Sequence, residues 1–450
     1  MKPGQILALL ILHLALVMLP ADCHRTSSPP HIILIISDDQ SWTDYSFMGH
    51  PHIETPRIDR LAEEGMTLTR GYTAAPLCRP ALASIVTGLY PHQHRVVGND
   101  PIFIYTGEQK WGAEWLLERK RYDEPVLDRF GDNPSLARLL KEAGYRTLQT
   151  GKWWEGHFSR GGFSEGMTHG DPLRGGRHGD EGLSIGREGL DKIVRFIDRS
   201  VEAGDPFFVW YAPFMPHAPH TPPDSLEQKY LSIAPTPAVA RYWAMCEWFD
   251  ITCGQLVDHI DRKGLAEETL FIYITDNGWI QDPERPNRYA PRSKRTSYDT
   301  GIRTPVILRW QGSISPEWDT VHPVVSVDIV PTILNLCRVN VPDRLQGIDL
   351  LDREKREERN YIFAENHTHD FTVPDSSLLE RVVVSGSWKL ILPEEERSTI
   401  PGPELYDLFR DPLEQRNLAE QYPGRVSELK GIIETWWVNS GSDTAINSLN

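Results

Sequence analysis

Cysteine is scarce, with five in 450 residues. That excludes the dense disulfide framework that staples small exported domains. Cys246 and Cys253 lie seven residues apart in a stretch that reads as helix. Two helical turns separate their Cα atoms by roughly 10 Å, too far for a bridge, so both are expected in the core. Basic residues are short against acidic ones, 47 to 63, giving a formal net charge of -16. This argues against nucleic acid as a main partner, while local charge at a site can still suit an anionic substrate. Beyond the N-terminus no run approaches the roughly 20 apolar residues of a membrane span, so no transmembrane segment is expected. There is no internal repeat.

The N-terminus carries the pattern of an export signal. Lys2 is followed by the apolar run Ile6 to Leu19, broken only by His13, and then by Pro20-Ala21-Asp22-Cys23. Residues 1–23 are expected to be a cleaved signal peptide, which makes the mature protein periplasmic or secreted. A lipid anchor on Cys23 is disfavoured by Asp22 immediately before it.

Apolar strands alternate with amphipathic helices along most of the chain. Ile32 to Ile36 is a continuous β-branched run of the kind buried on both faces of a parallel sheet. Strands are also expected at Met66–Tyr72, Tyr145–Gln149, Phe207–Tyr211, Leu270–Ile274 and Pro305–Trp310, and a long helix at about Ala240–Arg262. Asn99 to Asp132 shows no period and reads as an irregular insertion; His169 to Gly189 reads as a long loop. Beyond about residue 352 short β-type segments fit a small antiparallel sheet. The expected fold is α/β: a mixed, largely parallel central sheet flanked by helices over residues 30–352, then a small C-terminal α+β subdomain over 353–450.

Ligands in such sheets gather beyond the carboxyl ends of the strands. Asp38, Asp39, Lys152, His217, Asp276 and Asn277 each fall just after a strand. Asp38, Asp39, Asp276 and Asn277 make an all-oxygen set suited to calcium or magnesium. Either pair alone would read as a turn or helix cap. Lys152 and Lys294 can hold anionic oxygens, and His217 can act as a general acid. His220 and His157 are weaker candidates. Cys78 precedes Arg79-Pro80 at the expected mouth of a helix, where unpaired N–H groups favour an anion. An inert buried cysteine is the bland alternative.

From about Pro30 to Glu404-Leu405-Tyr406-Asp407-Leu408 the chain resembles the sulfatase family of the alkaline-phosphatase-like group. The resemblance is carried by Ser37-Asp38-Asp39-Gln40, the Cys78 helix with Thr87-Gly88, and Thr150-Gly151-Lys152-Trp153. Pro216-His217-Ala218-Pro219, Thr275-Asp276-Asn277-Gly278 and Tyr298 to Pro305 add to it. It implies an alkaline-phosphatase-like fold and a sulfuric ester hydrolase. It implies that a maturation enzyme converts Cys78 to formylglycine, and that calcium sits on Asp38, Asp39, Asp276 and Asn277 beside residue 78. Lys152, His217 and Lys294 would then grip a sulfate ester, of a carbohydrate or a small aryl compound. The sequence departs from the family at two places. Leu82 stands where the Cys-x-Pro-x-Arg signal has its arginine, and Trp154 stands where Lys-Trp-His has its histidine, leaving His157 as the candidate substitute. Two further readings stay open: a phosphoester or phosphonate hydrolase on the same scaffold, and an inert binding protein in which Cys78 remains a thiol.

Overall fold

The computed structural model describes residues 29–107 and 112–441. The expected signal peptide, Cys23 and the last residues of the tail lie outside the described residues. Fifteen strands occur among those described. They are β1 (His31–Ser37), β2 (Met66–Tyr72), β3 (Asp100–Pro101), β4 (Arg146–Gly151), β5 (Glu165–Gly166), β6 (Phe207–Ala212), β7 (Thr269–Thr275) and β8 (Arg303–Arg309). The rest are β9 (Glu317–Asp319), β10 (Val324–Val325), β11 (Ile362–His367), β12 (Asp370–Phe371), β13 (Leu378–Ser385), β14 (Trp388–Pro393) and β15 (Glu404–Asp407).

The central sheet runs β10-β2-β8-β7-β1-β6-β4-β5, with β9 also pairing β2. β8 is antiparallel to both its neighbours, and the other ladders are parallel. The sheet is therefore mixed and largely parallel, as expected. β1 sits at its centre and is buried from Ile32 onward. Its side chains alternate between two cores. Ile32, Leu34 and Ile36 meet the helix Cys78–Thr87 through Ile85 and Val86. Ile33 and Ile35 belong with Phe196 and Ile197 of Asp191–Ala203 and Phe249 and Leu256 of Pro237–Arg262. Burying each such side chain stabilises by roughly 1.5–3 kcal/mol, which is why an unbroken apolar run settles between two helical layers.

A second, four-stranded antiparallel sheet, β11-β13-β14-β15, carries the helix Pro423–Gly441 on one side through Leu429 and Ile433. The texture change in the sequence pointed to this sheet. Cys78, Cys246, Cys253 and Cys337 are all free and buried, so the core reading of Cys246 and Cys253 holds.

One expectation fails. The stretch read as irregular contains a 19-residue helix, Ala113–Gly131, with Pro125 inside it. An interior proline ordinarily ends a helix. The buried face also includes Arg119 among Trp115, Val126, Leu127 and Phe130, so its hydrophobic period is broken by a charge. His169–Gly189 is mainly loop, with single turns at Pro172–Arg174 and Asp180–Ser184.

Candidate active site

β1 ends into Asp38 and Asp39, β7 into Asp276 and Asn277, and β4 into Lys152. β6 runs into the loop that carries His217 between the cis peptides Met215–Pro216 and Ala218–Pro219. Lys294 arrives from the segment before β8, and Cys78 is the first residue of the helix after β2. Four of these segments are carboxyl ends of adjacent parallel strands, where a ligand cleft is expected. Gly151 makes the approach possible. Its φ is +77°, and a Cβ there would lie 1.9 Å from the Ala212 carbonyl oxygen. The chain crosses over β6 at that point, and the Lys152 N–H donates to the same carbonyl at 2.6 Å.

The buried charges interlock. Lys152 Nζ lies 2.6 Å from Asp38 Oδ1 and 3.9 Å from Asp276 Oδ2. Lys294 Nζ donates to both oxygens of Asp39, at 2.6 and 2.7 Å. Asn277 Nδ2 donates to Asp39 Oδ1 at 2.7 Å. The backbone N–H of Asp39 donates to Asp276 Oδ1 at 3.1 Å, from a left-handed backbone with φ +66°. His217 Nε2 is 3.4 Å from Asp39 Oδ2. Ligand atoms of Asp38, Asp39, Cys78 and His217 all lie within 4.8 Å of one another.

Burial pushes the Asp38 and Asp276 carboxyls up, and the crowding of the three carboxylates adds to it while Lys152 works against it. Burial alone would lower both lysines, yet the carboxylates around them hold them well above the usual range. Burial and the two ammonium groups push His217 down. The Cys78 thiol is pushed up to about 12 by burial, so little thiolate forms there.

Three oxygens of this cluster, Asp38 Oδ2, Asp276 Oδ2 and Asn277 Oδ1, are buried without a hydrogen-bond partner. Buried acceptors of this kind are costly, and a hard cation with oxygen ligands answers all three. The donor set fits calcium or magnesium.

Above the cluster lies a cavity of about 260 Å³ lined by Cys78, His217 and Lys294. Sequence reasoning missed the rest of its lining, which includes Asn99, Arg177, His178, Arg288, Arg295 and His369. These come from four separate segments with no shared motif; the one available signal was the basic cluster Arg292, Lys294, Arg295. His157 does not reach this cavity. It caps the turn Phe158–Gly161 through Ser159 and faces a neighbouring cavity of about 350 Å³. Besides His217, the cavity wall carries His178, against Trp154 at 5.1 Å and Phe214 at 5.3 Å between ring centroids. Its Nδ1 has no partner, and burial lowers it to about 3. His220 packs on Tyr242 and Trp279. Arg79 points away from Cys78, as expected, and its guanidinium clasps Glu155 at 2.9 and 3.0 Å. Leu82 is buried in the apolar cluster that also holds Val96, Val97 and Phe371.

The family model for sulfatases matches residues 30–339. The chain belongs to the sulfatase family. A second model, N-sulphoglucosamine sulphohydrolase, C-terminal, matches residues 289–433. Among sulfatases, the N-acetylgalactosamine-6-sulfatase of Canis lupus familiaris is 29% identical over 363 residues, covering 72% of this chain. The match spans 65% of that protein, just under two thirds of its length. The N-acetylgalactosamine-6-O-sulfatase of Bacteroides thetaiotaomicron is 23% identical over 518 residues, 92% of this chain and 94% of that one. The crystal structure of Ps i-CgsB in complex with k-i-k-neocarrahexaose superposes with a TM-score of 0.73 at 22% identity, covering 92% of this chain and 94% of that chain. That likeness is one of fold. No helix among the described residues is long and apolar enough to cross a membrane.

Proposed function

We propose that this chain is an exported sulfuric ester hydrolase acting on a carbohydrate sulfate, with residue 78 as formylglycine. It would carry a divalent cation, calcium or magnesium, on Asp38, Asp39, Asp276 and Asn277. The observation that carries the reading is the set of three orphaned buried oxygens beside Cys78, faced by two lysines. The names of the relatives, which are carbohydrate sulfatases, support the substrate class.

As formylglycine, residue 78 supplies a hydrated aldehyde, one hydroxyl of which is the nucleophile toward sulfur while the other expels sulfate and restores the aldehyde. A bound cation supplies fixed positive charge beside that residue. Lys152 and Lys294 are held charged by their carboxylates and meet the ester's anionic oxygens without reorganising. His217 Nδ1 lies 2.5 Å from the Ala218 carbonyl oxygen, a contact only an N–H satisfies. In the neutral ring Nε2 then holds the lone pair, and it is the atom that takes up a proton and returns it to the leaving oxygen. The stacked Phe214 ring, 4.2 Å away, keeps that orientation. A buried thiol near pKa 12 would be a poor nucleophile in the same place, so the unconverted cysteine does not serve the reaction.

Leu82 favours a second reading. Without the motif arginine the maturation enzyme has less to recognise, and an unconverted Cys78 would leave an inert, metal-holding binding protein. Peptide mass spectrometry across residue 78 of host-matured protein separates the two. It is paired with a panel of sulfated glycans and phosphate diesters, with and without chelator, beside Cys78→Ala. Turnover of sulfate esters that is lost in both controls supports the hydrolase; an intact cysteine with no turnover supports the inert protein.

A further inference from the structure

Four formal cations border the Cys78 cavity, Arg177, Arg288, Lys294 and Arg295, and among the described residues no carboxylate lines it. Two of the four already have their counter-charge. Lys294 sits on Asp39, and Arg177 Nε donates to Asp100 Oδ1 at 2.9 Å. Arg288 and Arg295 are exposed, and among the described residues neither guanidinium has an ion-pair partner.

Lone surface arginines are ordinary; two that frame one cavity on fixed backbone are less so. Arg288 lies on a closed loop. Its carbonyl accepts from the Asp282 N–H at 2.8 Å, and the Ala290 N–H donates to the Ile280 carbonyl at 2.7 Å. Arg295 is tied to the Cys78 segment itself, because its N–H donates to the Pro76 carbonyl at 2.9 Å. Its own carbonyl accepts from Asn366 Nδ2 at 3.2 Å. Arg295 holds φ +66°, a conformation that costs a non-glycine residue roughly 1 kcal/mol and persists only where the surroundings impose it. Like charges lining one cavity with Lys294 repel one another unless an anion comes between them, and the guanidinium fork matches a sulfate or carboxylate. In a chain of net charge -16, cations gathered at one mouth also steer anions to it.

We propose that Arg288 and Arg295 form a second anion subsite at the mouth of the Cys78 cavity, so that the substrate is a polyanionic saccharide with another sulfate or a carboxylate near the ester that is cleaved. The ester itself rests on the hydrolase reading above. Tyr289, next to Arg288 on the same loop, also lines the cavity and offers a ring against which the sugar can lie.

The test compares three saccharides: one monosulfated and otherwise neutral, one with a second sulfate, and one with a uronic carboxylate. Wild-type kcat/KM is expected to favour a dianionic substrate, with a preference that shrinks as salt rises from about 0.05 to 0.5 M. The double variant Arg288→Gln/Arg295→Gln is expected to lose about tenfold of that preference, and whichever dianion loses more names the anion. Equal losses on mono- and dianionic substrates, or no preference at the start, overturn the subsite. Calorimetric binding of the same saccharides to Cys78→Ala protein reads the subsite without turnover. Preferential binding by Cys78→Ala together with no cleavage by the wild type keeps the subsite and sinks the hydrolase; wild-type cleavage with no preference in either protein does the reverse.

Discussion

Asn277 Nδ2 donates to Asp39 Oδ1 over 2.7 Å and to the Gly278 carbonyl at 3.2 Å, which leaves Asn277 Oδ1 buried and unpartnered. The amide cannot be turned round, because a carboxylate and a carbonyl both need an N–H. Its oxygen is therefore left as a free acceptor, available to a donor or to a hard cation.

The first prediction follows from that oxygen. Calcium added to chelated protein should raise the melting temperature, by an amount equivalent to about 2.7 kcal/mol at a hundred times the dissociation constant. In Asn277→Ala the midpoint of that calcium titration should move to about tenfold higher concentration or more. Differential scanning across a calcium series reads both, and a wild-type response in the variant would remove Asn277 from the cation site.

Lys152 is buried against Asp38 with Asp276 just beyond it. Lys152→Ala strips the compensation from two buried carboxylates and, on the hydrolase reading, removes one cation that would meet the ester's anionic oxygens. Sulfate-ester turnover should fall by roughly 10²–10³-fold. Without divalent metal the variant should also lose about 3–5 kcal/mol in urea unfolding, and saturating calcium should recover part of that stability but not the activity. Activity that returned with calcium would make Lys152 purely structural.

Much of this was readable in the chain, because strand ends are where apolar runs stop. Asp38, Asp39, Lys152, His217, Asp276 and Asn277 could be placed from that alone, and the two sheets follow from continuous apolar runs and from the short β-type segments beyond residue 352. The helix Ala113–Gly131 was hidden by Pro125 and by Arg119 on its buried face. Arg119 is tolerated there because it pairs with Asp100, a long-range fact no local pattern encodes. His178 was invisible for a related reason. It lies in a segment of little secondary structure and reaches Cys78's cavity only because the Trp153 N–H donates to its carbonyl at 3.1 Å, tying that loop down.

Leu82 is a substitution with two consequences that pull apart. On the formylglycine reading, Leu82→Arg would restore the arginine of the Cys-x-Pro-x-Arg signal and should raise the converted fraction of residue 78, measured by peptide mass spectrometry. The same change places a guanidinium in an apolar cluster at a site 5% exposed. A buried charge without a partner destabilises, so the melting temperature should fall by several degrees. An unchanged converted fraction would show that maturation does not read position 82 in this chain.

Glu365 of β11 ties the second sheet to the helix Pro91–His94 through His92 and also holds His367 of its own strand. Its Oε1 is 2.5 Å from His92 Nδ1, on the short helix Pro91–His94, and its Oε2 is 2.9 Å from His367 Nε2. Burial opposes its charge, but the two imidazoles outweigh that and hold the carboxyl down to about 2, against an ordinary value of 4.5. A carboxyl depressed on folding contributes stability above its unfolded value and loses it as pH falls toward the folded one. That contribution is about 3 kcal/mol at neutral pH. Glu365→Gln should therefore unfold at lower urea than wild type at pH 7, with a gap that is constant down to about pH 5 and narrows steadily below pH 4.5. A gap that stayed the same at pH 3.5 would mean the clasp holds by packing and neutral hydrogen bonds, and that its charge contributes nothing.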